Sequence, residues 1–420
     1  MSGIQTVISM NKAYRFCRNM ARNNWVTTSI VTLTLLLAGK THALPINGQT
    51  AAGKATISKP STAEMHIVQG SSRAIINWDS FSIGKGESVN ITQPTSQSTL
   101  LNRVLGNNPS EIFGSLSANG QLFLINPAGV IFAPGASINA GGLVASTLGI
   151  KDSDFLSEKY TFIKTGTAAS VINQGNINAG FAALLGSSVE NSGTMITSKG
   201  LAGIAVGKGI TLNMDPYGLV AIKVDEATYN AQIKNSGVIE ANGGTVVMTA
   251  TAADALLSTV VNNSGKVRAA SITENNGNVI IEAGTVINSG IIEAGNKIDA
   301  SAAGAMVNTG KLCAEEIKVS VNNLIDAGSW ESGKILMHAA GSIEQTAAGT
   351  INADGDNGGY ISISVGKSLY LWSIERMRKC VPGRGNTDHC TGNNPCRYDS
   401  QGRWSERGRQ NLHRRWMARQ

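Results

Sequence analysis

Apolar residues come in short alternating bursts along most of this chain, and Asn, Pro or Gly ends each burst. The stretch 121–147, QLFLINPAGVIFAPGASINAGGLVAST, is typical, because its apolar runs stop at Asn-Pro, Ala-Pro-Gly and Asn-Ala-Gly-Gly. A period of two predicts β-strands, and clusters of Asn, Pro and Gly predict tight corners. The pattern therefore predicts an all-β chain with many short strands.

One phrase recurs between residues 173 and 333: Asn or Asp, a small polar residue, Gly, any residue, an apolar residue, any residue, then Ala, Ser or Thr. Its glycines are Gly175, Gly193, Gly237, Gly265, Gly290, Gly310 and Gly328. Most steps are 18–28 residues, and we interpret the single step of 44 as two coils. Such a period predicts a right-handed parallel β-helix, the solenoid class to which pectin lyase belongs.

An antiparallel β-sandwich is the competing fold, since it also has short strands and Gly-rich turns. A β-sandwich, however, does not predict that the same sequence pattern recurs at a regular period. In a β-helix, the repeated Gly is expected to supply the positive φ of a corner. The repeated Asn is expected to stack on the Asn of the next coil in a hydrogen-bonded ladder.

The N-terminal 43 residues have the features of an extended export signal peptide. Basic residues at 12–22 precede an apolar stretch, VTTSIVTLTLLLA at 26–38, and small residues then predict cleavage after Ala43. The apolar stretch is short for a bilayer span, so a retained membrane anchor is the weaker alternative.

Charge and cysteine content narrow the class further. The net charge of +7 belongs to the two ends, because residues 44–371 carry 19 basic and 24 acidic side chains. No nucleic-acid partner is therefore expected. Of the five Cys, only Cys313 lies in 44–371, so no internal disulfide holds that part together, and we expect Cys313 to be a small buried filler.

A search for chemistry predicts no catalytic residue, no cofactor and no metal site. Some parallel β-helices cleave polysaccharides with clustered carboxylates, but the close acid pairs here lie away from Arg in sequence. His66 and His338 each stand alone, which argues against a metal site or a Ser-His nucleophile. A polysaccharide-binding or polysaccharide-cleaving β-helix stays the lesser alternative.

The repeat stops before residues 372–420, which hold three of the five Cys and ten Arg. One interpretation is an arginine-rich arm or a zinc knot of Cys380, His389, Cys390 and Cys396, although their spacing is weak for zinc. The other, which we favour, is that this segment is an aberrant basic tail produced by a frameshift near residues 368–375.

Four motifs resemble the N-terminal region of two-partner secretion exoproteins, the filamentous haemagglutinin-like family, and within it the high-molecular-weight adhesin branch. They are MNKAYRFCRN (10–19), which suggests Met10 as the true start, RAIINWDSFSIGKGESVNITQP (73–94), LNRVLGNNPSEIFGSLSANGQLFLINPAGVIF (101–132) and INAGGLVASTLGI (138–150). Ala128 departs from the family, which usually has Asn there.

The resemblance implies a division of the chain and a set of secretion residues. Residues 1–43 would be the extended signal peptide, 44–165 the two-partner secretion domain, 166–371 β-helix repeats and 372–420 the aberrant tail. The two Asn-Pro motifs of the family fall on Asn108 and Pro109, and on Asn126, Pro127 and Gly129. Each of these residues is either a recognition residue or a turn residue of the solenoid.

The resemblance also implies a route and partners. Inner-membrane general export machinery would deliver the chain to the periplasm. A partner outer-membrane β-barrel transporter with POTRA domains would then pass it to the surface of a Gram-negative bacterium. There it would serve adhesion, with a host-cell glycan or protein receptor as the expected partner. The alternative is the front end of a contact-dependent toxin or haemolysin that lacks its effector.

Overall fold

The computed structural model describes residues 44–371 apart from 167–168, 199, 216–217, 229–230, 251–259, 271–276 and 355–358, and also 397–398 and 404–405. Over the described range the chain winds as a parallel β-helix whose strands form three ladders. Ala43 and most of the basic tail, including Cys380, His389, Cys390 and Cys396, lie outside the described residues. Within the tail, β35 (Arg397–Tyr398) pairs with β36 (Trp404–Ser405) in antiparallel fashion.

Each ladder collects strands from successive coils, and long strands take part in more than one. The first ladder comprises β3 (Glu64–Gln69), β5 (Ser88–Thr92), the first parts of β8 (Ser115–Ile125) and β10 (Ser137–Ser146), β13 (Asn176–Ala179), β16 (Thr194–Thr197), β21 (Val238–Asn242), β24 (Lys266–Ala270), β27 (Ile291–Ala294), the first parts of β29 (Lys311–Asp326) and β30 (Ser329–Ala339), and β32 (Thr350–Ala353). The second comprises β4 (Arg73–Trp78), β6 (Thr99–Val104), later parts of β8 and β10, β14 (Ala182–Gly186), β17 (Ala202–Val206), β22 (Thr245–Ala250), β25 (Asn278–Ala283), the first part of β28 (Lys297–Asn308), later parts of β29 and β30, and β33 (Tyr360–Val365). The third comprises β7 (Ser110–Ile112), β9 (Val130–Phe132), β12 (Ser170–Asn173), β15 (Ser188–Asn191), β20 (Gln232–Asn235), β23 (Val260–Asn263), β26 (Thr285–Asn288), the ends of β28 and β29, β31 (Ser342–Gln345) and β34 (Ser368–Tyr370).

Antiparallel strands cover the start of the helix. β1 (Gln49–Ala52) pairs with β4, and β2 (Ala55–Ser61) pairs with β3. Both pairings satisfy backbone groups that an open first coil would present to other chains, so they protect an edge at which strands otherwise associate.

Stacked apolar side chains fill the interior of the helix. One inward position of the first ladder is apolar and buried on every described coil: Met65, Val89, Leu116, Ile138, Ile177, Met195, Ile239, Val267, Ile292, Leu312, Trp330 and Ile351. Burying a side chain of this size contributes about 1.5–3 kcal/mol. Because no single coil can cover its own apolar face, this stack joins the coils into one folding unit.

The repeated Asn side chains form the expected row of hydrogen-bonded amides, which we call the amide ladder. It lies at the C-terminal ends of the strands of the third ladder. The side-chain amide of each Asn donates to the side-chain oxygen of the next, through Asn173, Asn191, Asn235, Asn263, Asn288 and Asn308, at 2.7–2.8 Å. These side chains are at most 1% exposed. Asn308 donates to Asp326 at 2.8 Å, so the ladder ends on a carboxyl group.

The repeated Gly has another role than the one we expected. None of the seven repeat glycines has positive φ; among the glycines of the described chain, that conformation occurs at Gly53, Gly86, Gly129, Gly135, Gly218 and Gly243. A Cβ atom at Gly237 would instead collide with the carbonyl oxygen of Gly193, one coil below, and Gly265 stands in the same relation to Gly237. The repeat needs Gly because the backbones of adjacent coils approach closely there.

The step of 44 residues between Gly193 and Gly237 is one coil with an insertion, so the interpretation as two coils was wrong. β15 pairs directly with β20, β16 with β21 and β17 with β22. The extra residues leave the helix as β18 (Gly209–Asp215) and β19 (Gly218–Glu226). These two strands join β11 (Tyr160–Ile163) in an antiparallel sheet beside the solenoid.

A second hydrophobic core lies between this sheet and the outer surface of the second ladder. Helix α1 (Asp152–Leu156) contributes Phe155, whose ring lies 5.5 Å from that of Phe123. The ring of Phe123 also stacks on Tyr160 at 5.3 Å. The strand segments at 121–125 and 182–186 are therefore buried on both faces, which is why they read as continuous apolar runs.

The ladder predicts a specific cost for removing one amide. Asn263→Ala breaks the bonds to Asn235 and Asn288 and leaves their buried groups unpaired, so the free energy of unfolding should fall by about 2–4 kcal/mol. Urea denaturation followed by circular dichroism measures this. The matched control is Asn262→Ala, whose side chain is half-buried, and its change should stay within about 0.5 kcal/mol. Equal effects from the two variants would contradict a structural role for the ladder.

The buried carboxyl group of Asp326 predicts that the stability of the fold depends on pH. Burial raises its pKa above the ordinary 3.8, although hydrogen bonds from Trp330, Asn308 and Gly328 lower it in part. A raised folded-state pKa means that folding takes up a proton, so the contribution of Asp326 is present below pH 3.8 and is lost as the pH rises through the folded pKa.

Asp326→Asn keeps a neutral acceptor at this position at every pH. The melting temperature of the variant relative to the natural chain should therefore increase from about pH 4 to about pH 7. Asp354→Asn, the same exchange at an exposed residue, is the control. A difference that is flat across this range, or that matches the control, would refute the assignment of the pH dependence to Asp326.

Candidate functional site

The two Asn-Pro motifs lie on consecutive coils of the third ladder. Asn108 and Pro109 immediately precede β7, and residues 126–129 immediately precede β9. Since β7 and β9 pair in register, with Ser110 opposite Val130, the two turns stack on each other. The backbone amide of Ser110 donates to the carbonyl oxygen of Gly129 at 2.9 Å, which joins them directly.

Asn126 connects the two turns from the inside. Its side-chain amide donates to the backbone oxygen of Asn108 and to Oγ of Ser110, both at 3.0 Å. Its Oδ1 accepts the backbone amide of Ala128 at 2.9 Å, which closes an Asx turn. The residue is fully buried. All of its side-chain hydrogen bonds therefore serve the geometry of the turns.

Gly129 occupies a position that only glycine adopts easily. Its φ is +131°, and its backbone amide donates to the carbonyl oxygen of Asn126 at 3.0 Å. A Cβ atom there would also lie 3.3 Å from Cβ of Pro109. Gly129 thus permits both the turn and the close approach of the neighbouring coil.

The remaining motif residues form the outer surface of the paired turns. Asn108 is exposed, and Pro109, Pro127 and Ala128 are half-buried. Leu105, three residues before Asn108, leaves 61% of its surface exposed. We call Leu105, Asn108, Pro109, Pro127 and Ala128 the Asn-Pro surface. Ala128 supplies only its backbone amide to the turn, so the departure from Asn at this position leaves that bond in place.

The structure brings all five predicted secretion residues together but divides them by burial. Asn126 and Gly129 hold the turn, whereas Asn108, Pro109 and Pro127 reach the surface. Sequence reasoning missed Ser110, a fully buried side chain whose hydroxyl accepts from Asn126. Its place directly after Asn108-Pro109 was the available signal.

Several ionisable side chains of the described residues form ion pairs along the outside of the solenoid. Asp152 and Asp154 are one of the close acid pairs of the sequence. A carboxylate oxygen of Asp152 lies 2.6 Å from a guanidinium nitrogen of Arg103. Burial alone would raise the pKa of Asp225, but hydrogen bonds from Thr211 and Lys223 outweigh it and lower that pKa. A hydrogen bond from Lys334 likewise lowers the pKa of Glu316. In the part of the chain that is described, no group of three or more His, Cys, Asp or Glu side chains could hold a metal ion.

The solitary histidine and cysteine residues have surface positions. Nε2 of His66 lies 2.6 Å from a carboxylate oxygen of Glu64, and His338 is exposed. Cys313 is only partly buried and points outward between Glu293 and Glu331 in the first ladder, so the expectation of a buried filler was wrong. Burial and the carboxylate of Glu331 raise the pKa of its thiol. Among the described helices, none is long and apolar enough to cross a membrane.

The described chain is thus a parallel β-helix with antiparallel strands over its start and two stacked Asn-Pro turns. The profile of the TPS secretion domain family matches residues 43–294, and the chain belongs to this family. The matched region continues beyond the boundary that we predicted at residue 165, which stays a prediction.

Relatives and solved structures agree with this membership. The chain is 32% identical over 305 residues to a heme/hemopexin-binding protein of Haemophilus influenzae, with 67% of this chain and 32% of the relative covered. For the protein of the same name in strain KW20 / Rd, the identity is 31% over 277 residues, with 61% and 30% covered. The chain thus spans about a third of the length of these curated relatives.

The crystal structure of the HMW1 secretion domain from Haemophilus influenzae superposes with a TM-score of 0.60 at 26% identity, with 77% of this chain and 90% of that one covered. This match confirms the predicted fold class, an all-β right-handed parallel β-helix. It also confirms the resemblance to two-partner secretion exoproteins of the high-molecular-weight adhesin branch.

The buried amide of Asn126 predicts a pH-dependent defect. Asn126→Asp keeps the shape but places a carboxylate against the carbonyl oxygen of Asn108, so the free energy of unfolding at neutral pH should fall by about 2–3 kcal/mol. Protonation restores a donor, and because burial raises the pKa of the new carboxyl, stability should recover as the pH falls. Urea denaturation at several pH values measures this. Asn107→Asp, at an exposed neighbouring position, should show no such recovery; a recovery there as well would locate the effect elsewhere.

Proposed function

We propose that the N-terminal domain of this protein directs its own export through a partner outer-membrane β-barrel transporter. In this proposal the general export machinery of the inner membrane acts first, and residues 1–43 are removed after Ala43. Periplasmic POTRA domains of the transporter then receive the chain, and the β-helix assembles on the outside of a Gram-negative cell. Membership of the TPS secretion domain family supports the proposal.

The observation that carries the proposal is the division of the Asn-Pro turns into a buried half and an exposed half. Asn126 uses its hydrogen bonds internally, whereas Asn108 contributes only its backbone oxygen to the described bonds of the turn. An exposed amide beside two prolines and Leu105 offers hydrogen bonds and apolar contact on a rigid surface. We infer that the transporter contacts the Asn-Pro surface and that Asn126 and Gly129 keep it in shape.

Stacking of the coils supports a transport step without a nucleotide at the outer membrane. The described β-helix is held by apolar stacks and amide ladders and contains no disulfide, since Cys313 is free. Each coil that forms outside gains contacts with the previous coil and so disfavours return of the chain.

Beyond export, we infer a non-enzymatic exoprotein that serves adhesion to host cells or surfaces. The ion-paired arrangement of the acid pairs, such as Asp152 with Arg103 and Glu316 with Lys334, supports a structural role for them. The names of the two relatives suggest a second candidate function, binding of heme or hemopexin.

Export is tested by comparing three single variants in a Gram-negative host that also expresses the partner transporter of the source organism. Asn126→Ala should reduce both stability and secretion, because it disrupts the turns. Asn108→Ala and Pro127→Ala should fold normally but reduce secretion by about tenfold, as expected when one or two contacts of about 1 kcal/mol each are lost. The ratio of secreted to periplasmic protein on immunoblots measures this.

Thermal melting of each purified variant separates folding from recognition. Asn213→Ala, which alters an exposed Asn of β18 outside the Asn-Pro surface, is the matched control and should be secreted like the natural chain. If Asn108→Ala and Pro127→Ala are both secreted normally, the Asn-Pro surface is not the contact and the motif has only a turn-forming role.

A further inference from the structure

A groove runs across the outer face of the first ladder, away from the Asn-Pro turns. It has a volume of about 710 Å³, is largely open to solvent, and is lined by residues of β5, β8, β10, β13 and β16, on five consecutive coils, and by residues that directly follow β13 and β16. Binding clefts for small molecules and oligomers usually enclose about 300–1,000 Å³. The groove therefore has the size of a binding site.

A row of neutral polar side chains borders the groove. Pairing in register places Asn90, Ser117, Asn139 and Asn178 at the same position of successive coils. Strand spacing separates neighbours in this row by about 4.8 Å along the helix axis. Asn119 and Ser198, both exposed, line the groove two residues further along their strands.

Small residues also line the groove. Ala118, Ala140 and Ala179 occupy equivalent positions of three successive coils, and Gly180 follows the last of them. The side chains of these alanines pack against the core of the helix, so it is the backbone at these positions that lines the groove between the polar side chains. The groove is thus open to solvent along the axis of the helix.

Beyond the groove, the residues in the same row are mostly charged. After Ile196 it continues as Glu240, Arg268 and Glu293, and then through Cys313 to Glu331. There the charges are paired, with Arg268 3.8 Å from Glu240 and 3.9 Å from Glu293. In contrast, none of the described residues that line the groove is charged. Along this row, therefore, a neutral segment gives way to an ion-paired one.

Hydrogen bonds within the row leave much of its capacity unused. Oγ of Ser117 donates to Oδ1 of Asn90 at 2.7 Å, and the amide of Asn90 donates to Glu64 at 3.2 Å, which fixes that end. The amide of Asn139 donates to Ser137 at 3.2 Å, and Asn178 is exposed. A side-chain amide offers two donor hydrogens and two acceptor lone pairs, so Asn139 and Asn178 can still engage a ligand.

We propose that this groove binds an uncharged oligosaccharide lying along the helix axis. Sugar hydroxyls both donate and accept, which matches a row of amides and hydroxyls at regular spacing. A charged ligand would find no counter-charge among the described lining residues. The proposal deepens the adhesive role proposed above and rests on it for its biological setting only.

Isothermal titration of the purified full chain tests the groove with maltohexaose, cellohexaose and mannohexaose as probes. Hexagalacturonic acid and the peptide (Gly-Ser)₅ serve as charged and peptidic comparators. At least one neutral hexasaccharide should bind, and the double variant Asn139→Ala/Asn178→Ala should weaken that binding by about tenfold or more, since it removes two hydrogen-bonding side chains. Asn213→Ala, an exposed Asn on β18, should bind like the natural chain.

A second variant guards against an indirect effect. Ser198→Trp fills one end of the groove from an exposed position and should also abolish binding, while melting temperature and secretion stay unchanged. Absence of binding to all three neutral probes, equal or tighter binding of either comparator, or binding that is insensitive to both groove variants would overturn the proposal. None of these results would affect the export proposal, because the Asn-Pro surface is unaltered in every variant.

Discussion

From Asn173 to Asn308, each coil of this solenoid places one buried side-chain amide at the same depth and height as the coil before it. An Asn that is displaced along the strand would leave its own amide and two neighbouring groups unpaired in the interior, and each such group costs about 1–3 kcal/mol. The amide ladder from Asn173 to Asp326 therefore fixes the register in which the strands of the third ladder pair. Apolar stacking alone would tolerate slippage far better, because Val, Ile and Leu replace one another with little loss.

This constraint explains how coils of unequal length coexist in one regular helix. Residues can be added only where they leave the ladder undisturbed, and the insertion that forms β18 and β19 departs after β17 and returns before β20. Its strands then cover Phe123 and its neighbours on the outer surface of the second ladder. The insertion thus creates a second core while Asn191 and Asn235 still bond directly at 2.7 Å.

The repeated sequence pattern predicted the solenoid and the amide ladder, because the residues that form both recur in every repeat. The antiparallel sheet could not be predicted in this way, since its strands belong to no repeat and β11 pairs with a strand 50 residues later, as Thr161 does with Thr211. The role of the repeat Gly was misjudged for a related reason. The atom that excludes a side chain at Gly237 belongs to Gly193, and only the stacked coils bring the two together.

The Asn-Pro motifs show what a motif can and cannot establish. Residue identity placed Asn108 and Asn126 in equivalent roles, but the fold assigns them opposite ones, since one amide is fully buried and the other faces solvent. The buried turn requires the Asn side chain at position 126, because its amide makes the bonds that hold the turn. The exposed amide of Asn108 is required only if another molecule binds to it. Since β7 and β9 hold the two turns in register, any contact made at Asn108 is sensitive to the bond from Asn126. If the proposed recognition takes place at this surface, both it and turn formation depend on that hydrogen bond, and a surface substitution separates the two where a buried one cannot.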